Sequence, residues 1–157
     1  MKYIKGTSNK YLKIDLTNQS WSEYKISTED RKNYLGGKGL ALKIYYDHLK
    51  DRLDSVDALA EENLLIFAMG TILSTEAPCS ARFEVYSKSP LTGLLFGSSC
   101  GGPFGEACKT AGWDGVILLG QSPSPVVVRF NDQKVEFESA ASLWGMSADD
   151  TEKHLKL

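Results

Sequence analysis

Between Ser80 and Gly115 the chain is broken into short elements by closely spaced glycines, hydroxyls and cations. The order is Ser80-Ala81-Arg82, then Lys88-Ser89-Pro90-Leu91-Thr92-Gly93, then Ser98-Ser99-Cys100-Gly101-Gly102-Pro103-Phe104-Gly105, then Ala111-Gly112-Trp113-Asp114-Gly115. Such a stretch suits close approach of backbone to a bulky anionic ligand. It does not resemble a self-contained catalytic centre.

With 157 residues the chain has about one domain's worth of sequence, and its 42% hydrophobic content can supply a core. Charged residues make up 24% and the net charge is -2, which indicates neither disorder nor a basic nucleic-acid surface. The longest apolar runs, Asn63–Met69 and Val116–Gly120, are too short to span a bilayer. The N-terminus carries lysines but no apolar stretch of signal-peptide length, so no membrane partner and cytoplasmic residence are the expectations. Cys79, Cys100 and Cys108 lack metal-pair spacing and fit a reducing compartment.

Tyr11–Leu16 and Trp21–Ile26 alternate at period two around Thr17–Ser20, which predicts a hairpin. Ser27 or Thr28 caps a short helix ending near Gly36-Gly37, and a second helix runs from about Gly39 to Leu49. Asn63–Ala68 and Arg82–Ser87 read as strands, with Gly70–Cys79 a polar loop between them. Pro103 opens a helix to Thr110. Asp114–Leu119, Val126–Phe130 and Val135–Phe137 read as strands, and Ser147 caps a last helix. The Leu143–Leu157 pattern ends without a clear C-cap, which suggests that the natural unit or its partner continues the surface. The order of elements fits a mixed α+β fold with mixed or antiparallel sheets and a few helices.

Individual residues leave alternatives open. Gly101-Gly102-Pro103-Phe104-Gly105 is either a phosphate-attracting helix start or a tight loop that packs closely. Arg82 either projects its fork toward a phosphate or carboxylate, or pairs with Glu84 or another acidic neighbour. Lys88 either complements the same anion or is an exposed turn lysine. Gly36-Gly37-Lys38-Gly39 either admits a ligand or simply ends one helix before another. The cysteines read as free thiols, His48 and His154 as surface residues, and Asp114 as a cap for backbone groups.

Taken in order, these motifs resemble the N-terminal domain of the tungsten-containing aldehyde ferredoxin oxidoreductase family. Tyr11–Leu16, Tyr34-Leu35-Gly36-Gly37-Lys38-Gly39-Leu40, Asn63–Ala68 and the Arg82 strand all carry the resemblance. So do Lys88–Gly93, the Gly101-Gly102 and Phe104-Gly105 pairs, and Ala111–Gly115. The resemblance implies that residues 1–157 are a single platform domain beneath a tungsten bis-pterin cofactor (molybdenum in some relatives). A Mg2+ ion would bridge the two pterin phosphates. The implied cofactor-binding residues are Arg82, Ser98, Ser99, Gly101, Gly102 and Lys38, with Ser99 also on the metal; no catalytic residue is implied in this chain. Lys38 stands where arginine is common, Ser99 where asparagine is usual, Cys100 where serine is common and Pro103 where tyrosine is common.

The family oxidises aldehydes to carboxylic acids with water as the oxygen source. Its electrons leave through an iron–sulfur cluster to ferredoxin. The 4Fe-4S cluster and the catalytic acid and histidine groups belong to later helical domains. The resemblance therefore implies a fragment or subunit, inactive alone, whose partners are those helical domains or a separate catalytic subunit, with a ferredoxin-like acceptor for the complete enzyme. A homo-oligomer is also compatible. The alternative expectation is a non-catalytic scaffold or self-association domain that keeps the fold without cofactor. A small phosphate-ligand module is a third.

Overall fold

The computed structural model describes residues 6–155. The N-terminal lysines Lys2 and Lys5 and the last two residues of the Leu143–Leu157 pattern lie outside the described residues. Alternating sequence becomes β1 (Lys10–Asp15) and β2 (Ser20–Lys25), paired antiparallel from Lys10↔Lys25 to Asp15↔Ser20. The Asp15 carboxylate closes the turn by accepting from the Asn18 amide nitrogen at 3.0 Å and from Asn18 Nδ2 at 2.8 Å. The Asn18 side chain is the main cause that holds the Asp15 carboxyl below its ordinary range.

Ser27 caps α1 (Thr28–Tyr34) by accepting from the Asp30 amide at 2.9 Å. After Leu35, which takes φ 58, α2 (Gly37–Leu49) begins. Its buried residues Leu40, Ala41, Ile44, Tyr45 and Leu49 recur at helical spacing and form one stripe. That stripe packs on Tyr11, Ile66, Ala68, Tyr86 and Ile117, which face it from the sheet.

The sheet also contains β3 (Leu65–Met69), β4 (Phe83–Lys88), β5 (Leu95–Cys100) and β6 (Gly115–Leu119), in the order β2-β1-β6-β3-β4-β5. Only β1 and β6 run parallel; the other pairs are antiparallel. The second face, bearing Leu12, Ile14, Met69, Phe83 and Val116, is covered by α3 (Pro103–Thr110), Trp113 and the hairpin of β7 (Val126–Phe130) and β8 (Val135–Ser139). A last helix, α4 (Ala148–Leu155), follows the Ser147 cap, whose hydroxyl accepts from the Asp150 amide at 3.2 Å. The fold is mixed α+β, as the order of elements implied.

One strand escaped the sequence reading. Residues 91–100 are all exposed, so neither face of β5 is selected for apolar side chains and no period-two signal forms. Only its pairing to β4, from Phe83↔Cys100 to Lys88↔Leu95, makes it a strand. Gly97 is needed there, because a methyl group at that position would fall 2.1 Å from Tyr86 Cε1. Helix α2 starts at Gly37, two residues before the expected Gly39, and β4 starts at Phe83, one residue after Arg82.

Asp114, expected to cap backbone groups, does so at long range. Buried at 2% exposure, it accepts from the Ser8 amide at 3.1 Å and the Asn9 amide at 2.8 Å. It also pairs with Arg31 and, at 2.8 Å, with Lys109 Nζ. Removing one member of a buried ion pair strands the others without countercharge. Asp114→Ala is therefore expected to lose about 3–5 kcal/mol of stability. Urea unfolding followed by circular dichroism checks this; an unchanged midpoint would contradict it.

Candidate functional site

The ladder Met69↔Phe83↔Cys100 brings the end of β3, the start of β4 and the end of β5 to one edge of the sheet. Gly70, Arg82 and Gly101 follow or precede these rungs and stand at the rim. A methyl group on Gly70 would come within 3.2 Å of the Arg82 carbonyl oxygen, so the two segments touch. The start of α2 joins them, since a methyl on Gly36 would fall 2.4 Å from Thr71 Oγ1. Contacts from Gly36 through Thr71 and Gly70 to Arg82 thus place Lys38 and Arg82 at the same end of the sheet.

Both cations are exposed there. Neither makes an ion pair among the described residues, and Arg82 does not pair with Glu84. Gly36, the N-cap of α2, offers no side-chain cap, which leaves amide donors at the start of a 13-residue helix. Gly101 and Gly102 face open space, with nothing within 4 Å of an added methyl group. Gly102 also adopts φ 99, where a side chain would be strained. The shelf is therefore not filled by neighbouring side chains.

Ser98 and Ser99 stand on opposite faces of β5, as adjacent strand residues must. Ser98 lies opposite Val85, and Ser99 opposite Glu84. Ser99 Oγ donates to Glu84 Oε1 at 3.1 Å, and the Tyr86 hydroxyl donates to Glu84 Oε2. Burial, followed by the Glu84 hydrogen bond, pushes the Tyr86 phenol well above its ordinary pKa. The structure thus gathers Arg82, Ser99, Gly101, Gly102 and Lys38 at one edge and turns the Ser98 side chain to the other face. The sequence offered Glu84 only as a mate for Arg82, because its Ser99 partner depends on the β5 register, which carries no period-two signal.

Other polar residues are committed elsewhere. Lys88 sits at the far end of β4 and donates to the carbonyls of Leu53 at 2.9 Å, Asp54 at 3.2 Å and Val56 at 2.8 Å. It is neither an anion ligand at the rim nor a free turn lysine. A cleft of about 360 Å³ lies beside it between α2 and the β4–β5 turn, lined by residues including Tyr46, Leu94 and Leu95. His48 is half-buried, and burial lowers its pKa; His154 is exposed. Among the described residues, no group of three or more His, Cys, Asp or Glu side chains could hold a metal. The free thiols differ in setting: Cys79 and Cys100 are exposed, whereas Cys108 is buried.

The donor set at the rim fits an anionic group: a guanidinium, an ammonium, uncapped helix amides and bare glycine backbone. Residues 11–157 match the family described as "Aldehyde ferredoxin oxidoreductase, N-terminal domain". The chain belongs to this family. It is 38% identical over 151 residues to the tungsten-containing aldehyde ferredoxin oxidoreductase of Pyrococcus abyssi, covering 96% of this chain and 24% of that protein. The Pyrococcus furiosus protein of the same name is 33% identical over the same length, again covering 96% of this chain and 24% of the relative. An aliphatic sulfonate oxidoreductase, WOR-like subunit, of Pyrococcus furiosus is 33% identical over 148 residues, 94% of this chain and 23% of the relative.

Among solved structures, the active-site complex BamBC of benzoyl coenzyme A reductase with 1,5-dienoyl-CoA superposes with a TM-score of 0.91. It is 35% identical, covering 96% of this chain and 23% of that one. The chain therefore spans about a quarter of the length of the curated relatives it matches. Among the described residues, no helix is long and apolar enough to cross a membrane.

Thiol chemistry gives a direct check on this arrangement. Burial, aided by Asp114, pushes the Cys108 thiol up to about 12. Ellman's reagent at neutral pH is expected to titrate Cys79 and Cys100 promptly and Cys108 only after denaturation. Three equally fast thiols in the native protein would contradict the packing of α3.

Proposed function

We propose that this chain is the platform beneath a tungsten bis-pterin cofactor in an enzyme that oxidises aldehydes to carboxylic acids. Helical domains, in the same polypeptide or in a separate subunit, complete the enzyme. The observation that carries this reading is the meeting of Arg82, Lys38 and the bare Gly101-Gly102 backbone at one sheet edge. The tungsten in the names of its relatives favours that metal over molybdenum.

When bound, the cofactor supplies the two-electron oxidation of the aldehyde, with oxygen taken from water. The chain's own residues bind and orient. Arg82 offers a planar fork to a pterin phosphate, and Lys38 adds a point charge from the first turn of α2. Gly101 and Gly102 let the flat ligand rest directly on backbone. Ser99 would be the residue of this chain to hold a Mg2+ ion that screens phosphate charge, through an oxygen of its side chain or backbone. Ser98 faces the other side of β5 and would contribute through its backbone. Proton transfer and electron exit belong to the completing domains in this reading. There the 4Fe-4S cluster would pass electrons to a ferredoxin-like acceptor.

The exposed apolar side chains Leu95 and Phe96 on the uncovered edge strand, with Leu94 just before it, also support a covering polypeptide. The same feature is compatible with a scaffold that only associates. Co-expression with a family helical polypeptide, followed by tungsten and pterin analysis of the purified complex, separates the two. Tungsten with bis-pterin stoichiometry is the expected result, and a clean apo complex would favour the scaffold.

Losing a charge-assisted hydrogen bond costs about 1.5–3 kcal/mol. Arg82→Ala is accordingly expected to lower the affinity of the isolated chain for inorganic diphosphate by about tenfold or more, read by calorimetry without metal. The isolated wild-type chain is expected to oxidise no aldehyde, and robust turnover by it alone would refute the platform reading.

A further inference from the structure

We propose that the cleft between the second half of α2 and the β2-β1-β6 part of the sheet binds a small carboxylate with an apolar body, whose charge is answered by Lys13.

The cleft has a volume of about 270 Å³. A dry cavity of about 150 Å³ already admits benzene. Its apolar lining is Ile44, Leu64 and Ile117, all buried. Its polar groups are Lys13, Tyr24, Asp47 and His48.

Lys13 is the unusual member. It stands on β1, inside the sheet, opposite Ser22 on β2 and Ile117 on β6. Tyr11, two residues earlier, belongs to the core beneath α2. Alternation therefore turns Lys13 to the same inward side, where a sheet covered by a helix ordinarily carries an apolar residue. Lys13 is half-buried, yet among the described residues it makes no ion pair. A partly desolvated ammonium without a countercharge is costly, and an anion in the cleft relieves that cost.

The neighbouring charges are already answered. Asp47 pairs with Lys43, which also reaches Asp30 at 3.7 Å. Asp15 shares the face of Lys13, but its carboxylate closes the Asn18 turn. Burial, then the charge of Lys13, lowers the His48 pKa against the opposing pull of the Glu62 backbone. The imidazole is thus neutral at neutral pH, and Arg52, just beyond α2, adds a second positive influence on it. Burial also raises the Tyr24 pKa, so its hydroxyl stays a donor. One unanswered cation beside an apolar wall balances one negative charge. A phosphate dianion would bring a second charge without a second cation. An amine would have to displace Lys43 from Asp47.

His48 lies ten residues beyond Lys38 on α2, about 15 Å along the helix, so the cleft does not overlap the glycine shelf. Carboxylates are also the product class of the oxidation proposed above, but the site rests on its own residues and not on that reading.

The chain has two histidines, His48 and His154, and His154 is exposed on α4. Histidine ring NMR therefore reports the cleft with an internal control. The probe is benzoate. Benzamide keeps its ring without the charge, and acetate keeps the charge without the ring. Benzoate is expected to bind about tenfold or more tightly than either. It should raise the His48 pKa, because a nearby anion favours the imidazolium, and leave that of His154 unchanged. Lys13→Met keeps the stem and removes the charge. It should weaken benzoate binding about tenfold or more in calorimetry, with its melting point checked alongside. If that variant unfolds, the histidine titration of the wild type still decides. Absence of benzoate binding, equal affinity for benzamide, equal shifts of both histidines, or full affinity in a folded Lys13→Met protein would overturn the site. The anion shelf would be untouched by any of these results.

Discussion

Asp114 is the tie on which the platform depends. It stands at the entrance to β6 and collects the Ser8 and Asn9 amides, the Arg31 guanidinium and the Lys109 ammonium. Those partners come from the approach to β1, from α1 and from α3. One carboxylate meets two cations, and carbonyl dipoles take up the excess. Arg31 donates to Leu35 O at 2.7 Å and to Asn9 Oδ1 at 3.0 Å, while Lys109 donates to Gly6 O at 2.8 Å. A buried network of this kind owes its value to complete satisfaction, because any orphaned member bears the full desolvation cost. Through Leu35 it also holds the end of α1, and with it the Gly36-Gly37 turn that sets Lys38 at the rim. The geometry of an exposed ligand edge is thereby inherited from a buried charge cluster.

The sheet is finished unevenly. Its β2 edge carries Glu23 and Lys25, with Lys10 bound to Glu23 at 3.0 Å, charges of the sort that discourage strand addition. Its β5 edge, from Leu95 to Cys100, has no charge and no proline. Helix α2 and the β7–β8 hairpin bury the middle of the sheet, while the β5 end stays bare. Glycines make the tight middle possible: a methyl on Gly115 would fall 2.1 Å from Tyr11 Cε1 and 2.4 Å from the Phe67 carbonyl oxygen. The same residue type serves the opposite purpose at Gly101 and Gly102, where it leaves room instead of filling it.

The readings that held share a cause. The β1–β2 hairpin, the Ser27 and Ser147 caps and the helix from Pro103 to Thr110 depend on residues within a few positions of each other. Lys88 went the other way. As a lysine beside Ser89-Pro90 it resembled a turn residue, yet its ammonium is held by three carbonyls from the 53–56 segment. Glu84 looked like a plausible mate for Arg82 and instead accepts from hydroxyls on β5 and on its own strand.

Periodicity, capping residues and ordered glycine motifs were sufficient for the α+β class, most element boundaries and the family, because each is written in short-range sequence. Strand order, the exposed β5 rung and the partners of Arg31, Lys88, Asp114 and Glu84 emerged only on folding. Charges and edge strands carry no periodic signature. Their partners lie tens of residues away, and the backbone register alone decides which groups come within hydrogen-bonding reach.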